Sequence, residues 1–331
     1  MREHRGAVRN ECFTVMTDRA VSRYVFFKNG ESFGNQCLFH FFNIAEMFVS
    51  LKRIAGERFW NEKTGRFVAA IDREGVAHDY GYTFLNTEAI YHGFATDDQA
   101  KSILAWIEGE RTVAGDTSTG ADIYQFRFGP RSTTRRNVDY YFWGWSAPES
   151  IPWGGQVQDG GAVLGWSYHD LMARLRTRGP DDAWRRLREI VAWFDDVQSE
   201  GGYRAYYRES ARGTLQGSNT AGGLGMDAEF VESVLVPQVM LRGFLGFEPT
   251  PQGFRLNPRL PEDWPSLEIR GIHFHDAVLN VAASRDDITI TATTAPAEPM
   301  MIELPAGFGR LAHDRAVKLD EDVPLRSVRK E

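Results

Sequence analysis

His78-Asp79-Tyr80-Gly81, Gln158-Asp159-Gly160-Gly161 and Gly223-Leu224-Gly225-Met226-Asp227 are three short glycine-bearing loops, each placing an aspartate just ahead of a helical segment. If those helices are the inner staves of a barrel, the three carboxylates meet on one rim. Carboxylates gathered in that way suit acid and base chemistry on carbohydrates.

Around these loops the apolar residues recur at helical spacing. Leu38, Phe41, Phe42, Ala45, Phe48, Val49 and Leu51 predict a helix over 37–55. A turn at Asn61-Glu62-Lys63-Thr64-Gly65 and an extended stretch over 66–71 precede the first loop, and a helix near 83–94 follows it. Thr96-Asp97-Asp98 caps another helix, with Ala100, Ile103, Leu104 and Ile107 inward. After Asp159, Leu164, Tyr168, Leu171 and Leu175 form one stripe, which Gly179-Pro180 ends. The next helix opens at Pro180-Asp181-Asp182 and is expected to turn Trp184, Leu187, Val191 and Phe194 inward. A last helix is expected over 227–245, kinked at Pro237. Gly65-Arg66-Phe67-Val68-Ala69 and Gly202-Tyr203-Arg204-Ala205-Tyr206 echo each other as extended arms between a helix and a loop. Helices in successive pairs with such an echo favour an α/α toroid.

Beyond Phe247, Pro249, Pro251, Pro258, Pro261 and Pro265 punctuate a linker. Strands are then expected over 267–274, 277–283 and 287–293, where Ile288, Ile290 and Ala292 alternate with Thr289, Thr291 and Thr293. The fold class is therefore mainly α: an (α/α) toroid over residues 1–247, followed by an antiparallel, sandwich-like β domain over 248–331. A closed toroid of six hairpins needs about twice the helices legible here. Either the toroid is incomplete or this is the C-terminal part of a longer polypeptide that supplies the N-terminal helices.

The 331 residues are 42% hydrophobic and 25% charged, an ordinary globular balance with room for two domains. The aromatic share of 13% supplies faces that stack on sugar rings, or simply a large aromatic core. A net charge of −7, with Arg127–Arg136 as the one dense basic stretch, argues against a nucleic-acid partner. Cys12 and Cys37 make neither a disulfide framework nor a metal spacing. No signal peptide and no apolar run of membrane-spanning length is seen, so a cytoplasmic, membrane-free protein is expected. His273 and His275 share a strand face but lack a third ligand, so no metal is expected, and no cofactor fingerprint is present.

Asp79, Tyr80, Tyr82 and Asn86 are candidate sugar contacts, the carboxylate and amide for hydroxyls and the rings for stacking. Glu88, inside the following helix, is a weaker candidate. The glycines around Asp159 let backbone approach a ligand closely. Asp227 and Glu229 are placed to hold a nucleophilic water, or to cap a helix. Asp122 and Arg131 lie in the long connection 109–158, which could cover the site. Trp153 and Trp166 flank Asp159 and could bury an acid there.

From the Asp227 helix into Gly253-Phe254-Arg255-Leu256-Asn257-Pro258-Arg259-Leu260-Pro261-Glu262-Asp263-Trp264, the chain resembles the C-terminal part of six-hairpin glycoside hydrolases, notably inverting α-1,2-L-fucosidases and α-L-rhamnosidases. Asp159-Gly160-Gly161 is similar to the Asn-Gly-Gly stretch of rhamnosidases and related phosphorylases. The resemblance, from about 37 to 295, implies an inverting carboxylate pair on the barrel rim, with the base-side aspartate at Asp227. The family's acid-bearing loop falls near Pro130–Arg135, where no glutamate stands. The acid is then Asp159 or Asp122, with Glu229 beside the base, acting on an oligo- or polysaccharide. A toroid lyase or epimerase, using Tyr80, His78 and the arginines of 127–136, and a non-catalytic carbohydrate-binding fragment are the alternatives. Sugar, linkage and oligomeric state stay open.

Overall fold

The computed structural model describes residues 50–137, 152–207, 236–308 and 316–329. The chain divides into units of residues 1–51 and 52–331, and nearly all described residues belong to the second. Of the helix expected over 37–55, residues 50–55 are described, and they belong to α1 (50–59). Two short antiparallel ribbons follow. The first pairs β1 (Trp60–Asn61) with β2 (Arg66–Phe67), the second β3 (Ala70–Ile71) with β4 (Ala77–His78).

Helices α2 (Thr83–Tyr91) and α3 (Asp97–Ile107) form one hairpin, and α4 (Ser167–Thr177) and α5 (Pro180–Ser199) another. The first helices of the two hairpins, α2 and α4, pack side by side. Helix α2 stops because Gly93 takes a left-handed φ of 72°, and Phe94 N–H then reaches back to the Ala89 carbonyl at 2.8 Å. Helix α3 starts on a capping box: Thr96 accepts from the Gln99 amide, and the Gln99 side chain accepts from the Thr96 amide. The core of the α4–α5 hairpin contains Leu171, Leu175, Leu187, Ile190 and the fully buried Trp193. Each aliphatic residue so buried contributes about 1.5–3 kcal/mol.

The apolar stripe of α5 lies one residue away from the expected one. Ala183, Leu187, Ile190, Trp193 and Val197 face inward, while Val191 and Phe194 are about half exposed. Two stripes of similar spacing compete on this helix and share Leu187, and Trp184 of the expected one is half-buried against Phe244 and Trp264. Tyr203–Tyr206 is a single helical turn, α6, where an extended arm was expected. Of the helix expected over 227–245, residues 227–235 lie outside the described residues. Its described end, after Pro237, is a π-helix over Val239–Phe244. Gly243 lets that wide turn close on Met172 and Leu175, which an added Cβ would meet at 3.0 Å.

The C-terminal part is a two-sheet β structure. A fully antiparallel sheet has the order β11 (Leu325–Val328), β9 (Asp287–Thr294), β8 (Ala277–Ser284), β7 (Ser266–Phe274). The second sheet runs β10 (Met301–Glu303), β6 (Gly253–Arg255), β5 (Glu248–Thr250), with β10 parallel to β6. The alternation read from the sequence appears as burial: Ile288, Ile290 and Ala292 are inside, opposite Leu279 and Val281. Phe247, Phe254 and Phe274 fill the space between the sheets, stacked or edge-on within 5.6 Å. The junction Leu260–Trp264 ties this part to the helices. Trp264 sits 4.6 Å from Trp184 and 5.0 Å from Phe244, and Glu262 N–H donates to Asp181 at 2.7 Å.

The β7–β8 turn has two residues, since Phe274 pairs with Ala277. Its first, His275, has φ 53°, the position where a type II′ turn favours glycine. Asp276 instead anchors the turn by accepting from Ala297 N–H at 2.9 Å. His275→Gly is expected to raise stability by about 0.5–1 kcal/mol in denaturant titration. A loss of stability would show that the imidazole, packed 4.3 Å from Phe274, outweighs the strained φ.

Among the described residues no helix is long and apolar enough to cross a membrane, and no group of three or more His, Cys, Asp or Glu could hold a metal.

Candidate active site

Three loop segments interlock above the ends of α2 and α4. The Tyr80–Thr83 segment exchanges backbone bonds with 132–135: Thr83 N–H donates to Ser132 O at 3.0 Å, and Thr134 N–H to Gly81 O at 3.1 Å. On its far side the 131–135 strap meets the Gly-rich loop, where Ser132 N–H donates to Gly161 O at 2.6 Å and Gly160 N–H to Thr133 Oγ1 at 2.9 Å. Gly81 is required at this crossing: its φ is 63°, and an added Cβ would sit 2.1 Å from Thr134 Oγ1.

Buried ion pairs hold the straps. Arg66, 1% exposed, donates Nε to Asp79 at 2.7 Å and clamps Asp116 through both terminal nitrogens at 2.6 and 2.9 Å. Asp116 also accepts from Trp106 Nε1 at 3.1 Å and Thr134 Oγ1 at 2.7 Å. Arg131 grips Asp122 at 3.0 Å and Gly160 O at 2.7 Å.

These bonds and others engage several residues expected to touch substrate. Asp79 accepts from Arg66, Thr64, Asn61 and the Gly81 amide, so its oxygens hold the loop. Asn86 is fully buried and bonds the Phe67 backbone in both directions and Tyr82 O, which pins the arm to α2. Arg131 is 3% exposed and fully engaged. Asp122 has one oxygen on Arg131 and the other shared between Arg131 and Ser118. Asp159 is 0% exposed, accepts from Asn137 N–H at 3.0 Å and pairs with Arg136 at 2.8 Å. It lies well ahead of Ser167, where α4 begins, so it is a loop anchor and not a helix cap. Trp153 donates Nε1 to Ser118 at 2.8 Å and lies so close over Gly160 that a Cβ there would meet the ring at 2.5 Å. Asp227 and Glu229 lie outside the described residues.

The aromatic expectation fares differently. Tyr80 and Tyr82, with His78, Phe84, Leu85, Ala69 and Ala70, line a cleft of about 200 Å³. Tyr80 and Tyr82 meet edge-on at 6.3 Å, and Tyr82 meets Phe84 at 5.5 Å. Trp166 stacks on Phe84 with centroids 4.2 Å apart, which continues the aromatic wall along the α2–α4 seam. Such a wall offers ring faces and edges to C–H groups.

One turn further along that seam is a group that the sequence underplayed. Glu88 of α2 faces His169 of α4, Oε1 to Nδ1 at 3.4 Å, with 26% and 16% of the side chains exposed. Burial pushes the Glu88 carboxyl up to about 7. Burial, with a smaller contribution from His92, pushes His169 down to about 4. A separation of 3.4 Å would also suit a carboxylate–imidazolium pair, but His169 Nδ1 makes no hydrogen bond that would hold a charge. Burial thus disfavours the charged form of both groups. In the sequence Glu88 reads as a residue inside the helix and a weaker candidate than Asn86, and nothing within α2 marks the seam.

Residues 247–305 match the model described as Glycosyl hydrolase family 65, C-terminal domain. A search of curated proteins returns no match. Among solved structures, a protein from the human microbiome provisionally named kojibiose phosphorylase shares 13% identity at a TM-score of 0.26. That alignment covers 86% of this chain and 46% of the other, so the chain spans less than half that protein's length, and the likeness carries no argument. What is shown is the kinship of the C-terminal β structure with the C-terminal domain of glycosyl hydrolase family 65.

Proposed function

We propose that this chain is part of a glycoside-processing enzyme that cleaves an oligo- or polysaccharide by an inverting two-carboxylate mechanism. The observation that carries the reading is the match of residues 247–305 to a glycosyl hydrolase C-terminal domain. The helical hairpins onto which that domain locks through Trp264 bear the aromatic cleft. Two successive helical hairpins, α2–α3 and α4–α5, fit the (α/α) toroid that the rhamnosidase and fucosidase resemblance implies. Asp227, with Glu229 beside it, is the base-side carboxylate in this reading. Tyr80, Tyr82 and Phe84 seat one sugar ring.

The full chain is to be incubated with aryl α-L-rhamnoside, α-L-fucoside and α-D-glucoside and with gluco-oligosaccharides, with and without inorganic phosphate. Free sugar is expected from at least one substrate, and Asp227→Asn is expected to lower the rate about 10²–10⁴-fold. A sugar phosphate formed only when phosphate is present would make phosphate the nucleophile in place of water. Glycan binding with no bond cleavage, or an unsaturated product absorbing in the ultraviolet, would sink the proposal.

A further inference from the structure

We propose that Glu88 is the proton donor of this glycoside-cleaving site and that His169 positions it. The inference rests on the function proposed above.

The first argument is one of pairing. Among the described residues of the helical part, the mostly buried carboxylates Asp79, Asp116, Asp159, Asp170, Asp182 and Glu108 each sit against an arginine. Glu88 is mostly buried too, yet the group facing it is an imidazole and not a guanidinium. A carboxyl held beside arginine stays ionised, whereas a general acid must carry a proton at working pH.

The second argument is position. Glu88 follows Phe84 by four residues on α2, about 6 Å along the axis and on the same face. His169 likewise follows Trp166 by three on the facing helix. The Glu88–His169 pair is thus the next layer of the seam below the Phe84–Trp166 stack, whose Phe84 and Leu85 line the cleft. Glu88 is one turn below the lining of the cleft, and its partial exposure keeps a path to solvent. The other titratable groups of this cluster are Tyr168 of α4, and Tyr91 and His92 at the end of α2. The charged residue acting on the cluster from the π-helix is Arg242, through Tyr168.

In the step, the Glu88 O–H bond breaks and the proton goes to the glycosidic oxygen. The C1–O bond breaks with its electron pair leaving on that oxygen. Water bonds to C1 from the opposite face and gives a proton to the base-side carboxylate. Glu88 is left ionised and takes up a proton from solvent, as the base releases one.

The experiment compares wild type with Glu88→Gln on para-nitrophenyl and 2,4-dinitrophenyl glycosides of whichever sugar the wild type accepts. The second leaving group departs without protonation, so a lost acid shows on the first alone. Glu88→Gln is expected to lower kcat about 10²–10⁴-fold on the para-nitrophenyl glycoside and less than about tenfold on the dinitrophenyl one. The alkaline limb of the wild-type pH profile, near pH 7, is expected to disappear. Equal losses on both substrates, or full turnover of the first, overturn the inference and leave the glycosidase reading intact. Difference infrared spectra add a second readout: at pH 6 the wild type should show a protonated-carboxyl band that Glu88→Gln lacks. Absence of that band overturns the assignment even if the kinetics change. A wild type that cleaves neither glycoside removes the proposed reaction, and the donor role with it.

Discussion

Arg174→Met is expected to lower stability by about 3–5 kcal/mol, on the order of 10 °C in Tm. Arg174 is fully buried on α4 and holds three carboxylates at once: Asp170 at 3.0 Å, Asp182 at 3.0 Å, and Glu108. It also donates to the Tyr124 hydroxyl at 2.6 Å, which in turn donates to Asp170. Burial lowers the Arg174 guanidinium, but Asp170, Tyr124, Glu108 and Asp182 together hold it well above its usual range. Methionine keeps much of the volume and removes the charge, so Asp170, 1% exposed, stays buried without that partner. Arg174→Lys should fall between the two, because an ammonium cannot fork across three acceptors. A methionine variant that melts within about 2 °C of wild type would mean that the network is a passive consequence of the packing.

Glu88→Gln is expected to stabilise the protein at pH 8 by about 2–3 kcal/mol and to leave it nearly unchanged near pH 4.5. The ordinary glutamate value is 4.5, and the folded value is about 7. Between these, the folded chain holds a proton that the unfolded chain has released, so stability falls as pH rises. The slope is about 1.4 kcal/mol per unit, giving about 3 kcal/mol across the window. His169 acts in the opposite sense. Its folded value of about 4 lies below the ordinary 6.5, so its cost is greatest at low pH and gone above 6.5. In wild type the two slopes offset each other between about 4.5 and 6.5. Glutamine removes only the Glu88 slope, so the difference between variant and wild type should grow with pH. Denaturant titrations at several pH values measure it, and a difference constant with pH contradicts the burial of a titrating Glu88. A residue kept at such a cost fits a group retained for chemistry.

The β strands were legible because period-two alternation survives whatever packs against it, as Ile288, Ile290 and Ala292 show. The start of α3 was legible because Thr96 and Gln99 carry their capping chemistry locally. Of the candidate residues, the structure places the tyrosines at a cleft. Tyr80 and Tyr82 keep their place at the cleft, whereas Asp79 and Asp159 carry a loop spacing that suits either ligand or anchor. The arginines that tertiary structure delivers are not visible in that spacing: Arg66 binds Asp79, and Arg136 reaches Asp159. Glu88 was underplayed for the converse reason. Its burial comes from α4 packing across it, which no pattern within α2 reveals.

Proton NMR of the first sugar released from an α-linked aryl glycoside most directly decides whether two opposed carboxylates work across this cleft. With wild type, the β-anomer should appear first and then equilibrate, the outcome of a single displacement by water. An α-anomer formed first, or no sugar released by a folded chain from any glycoside of the panel, contradicts it.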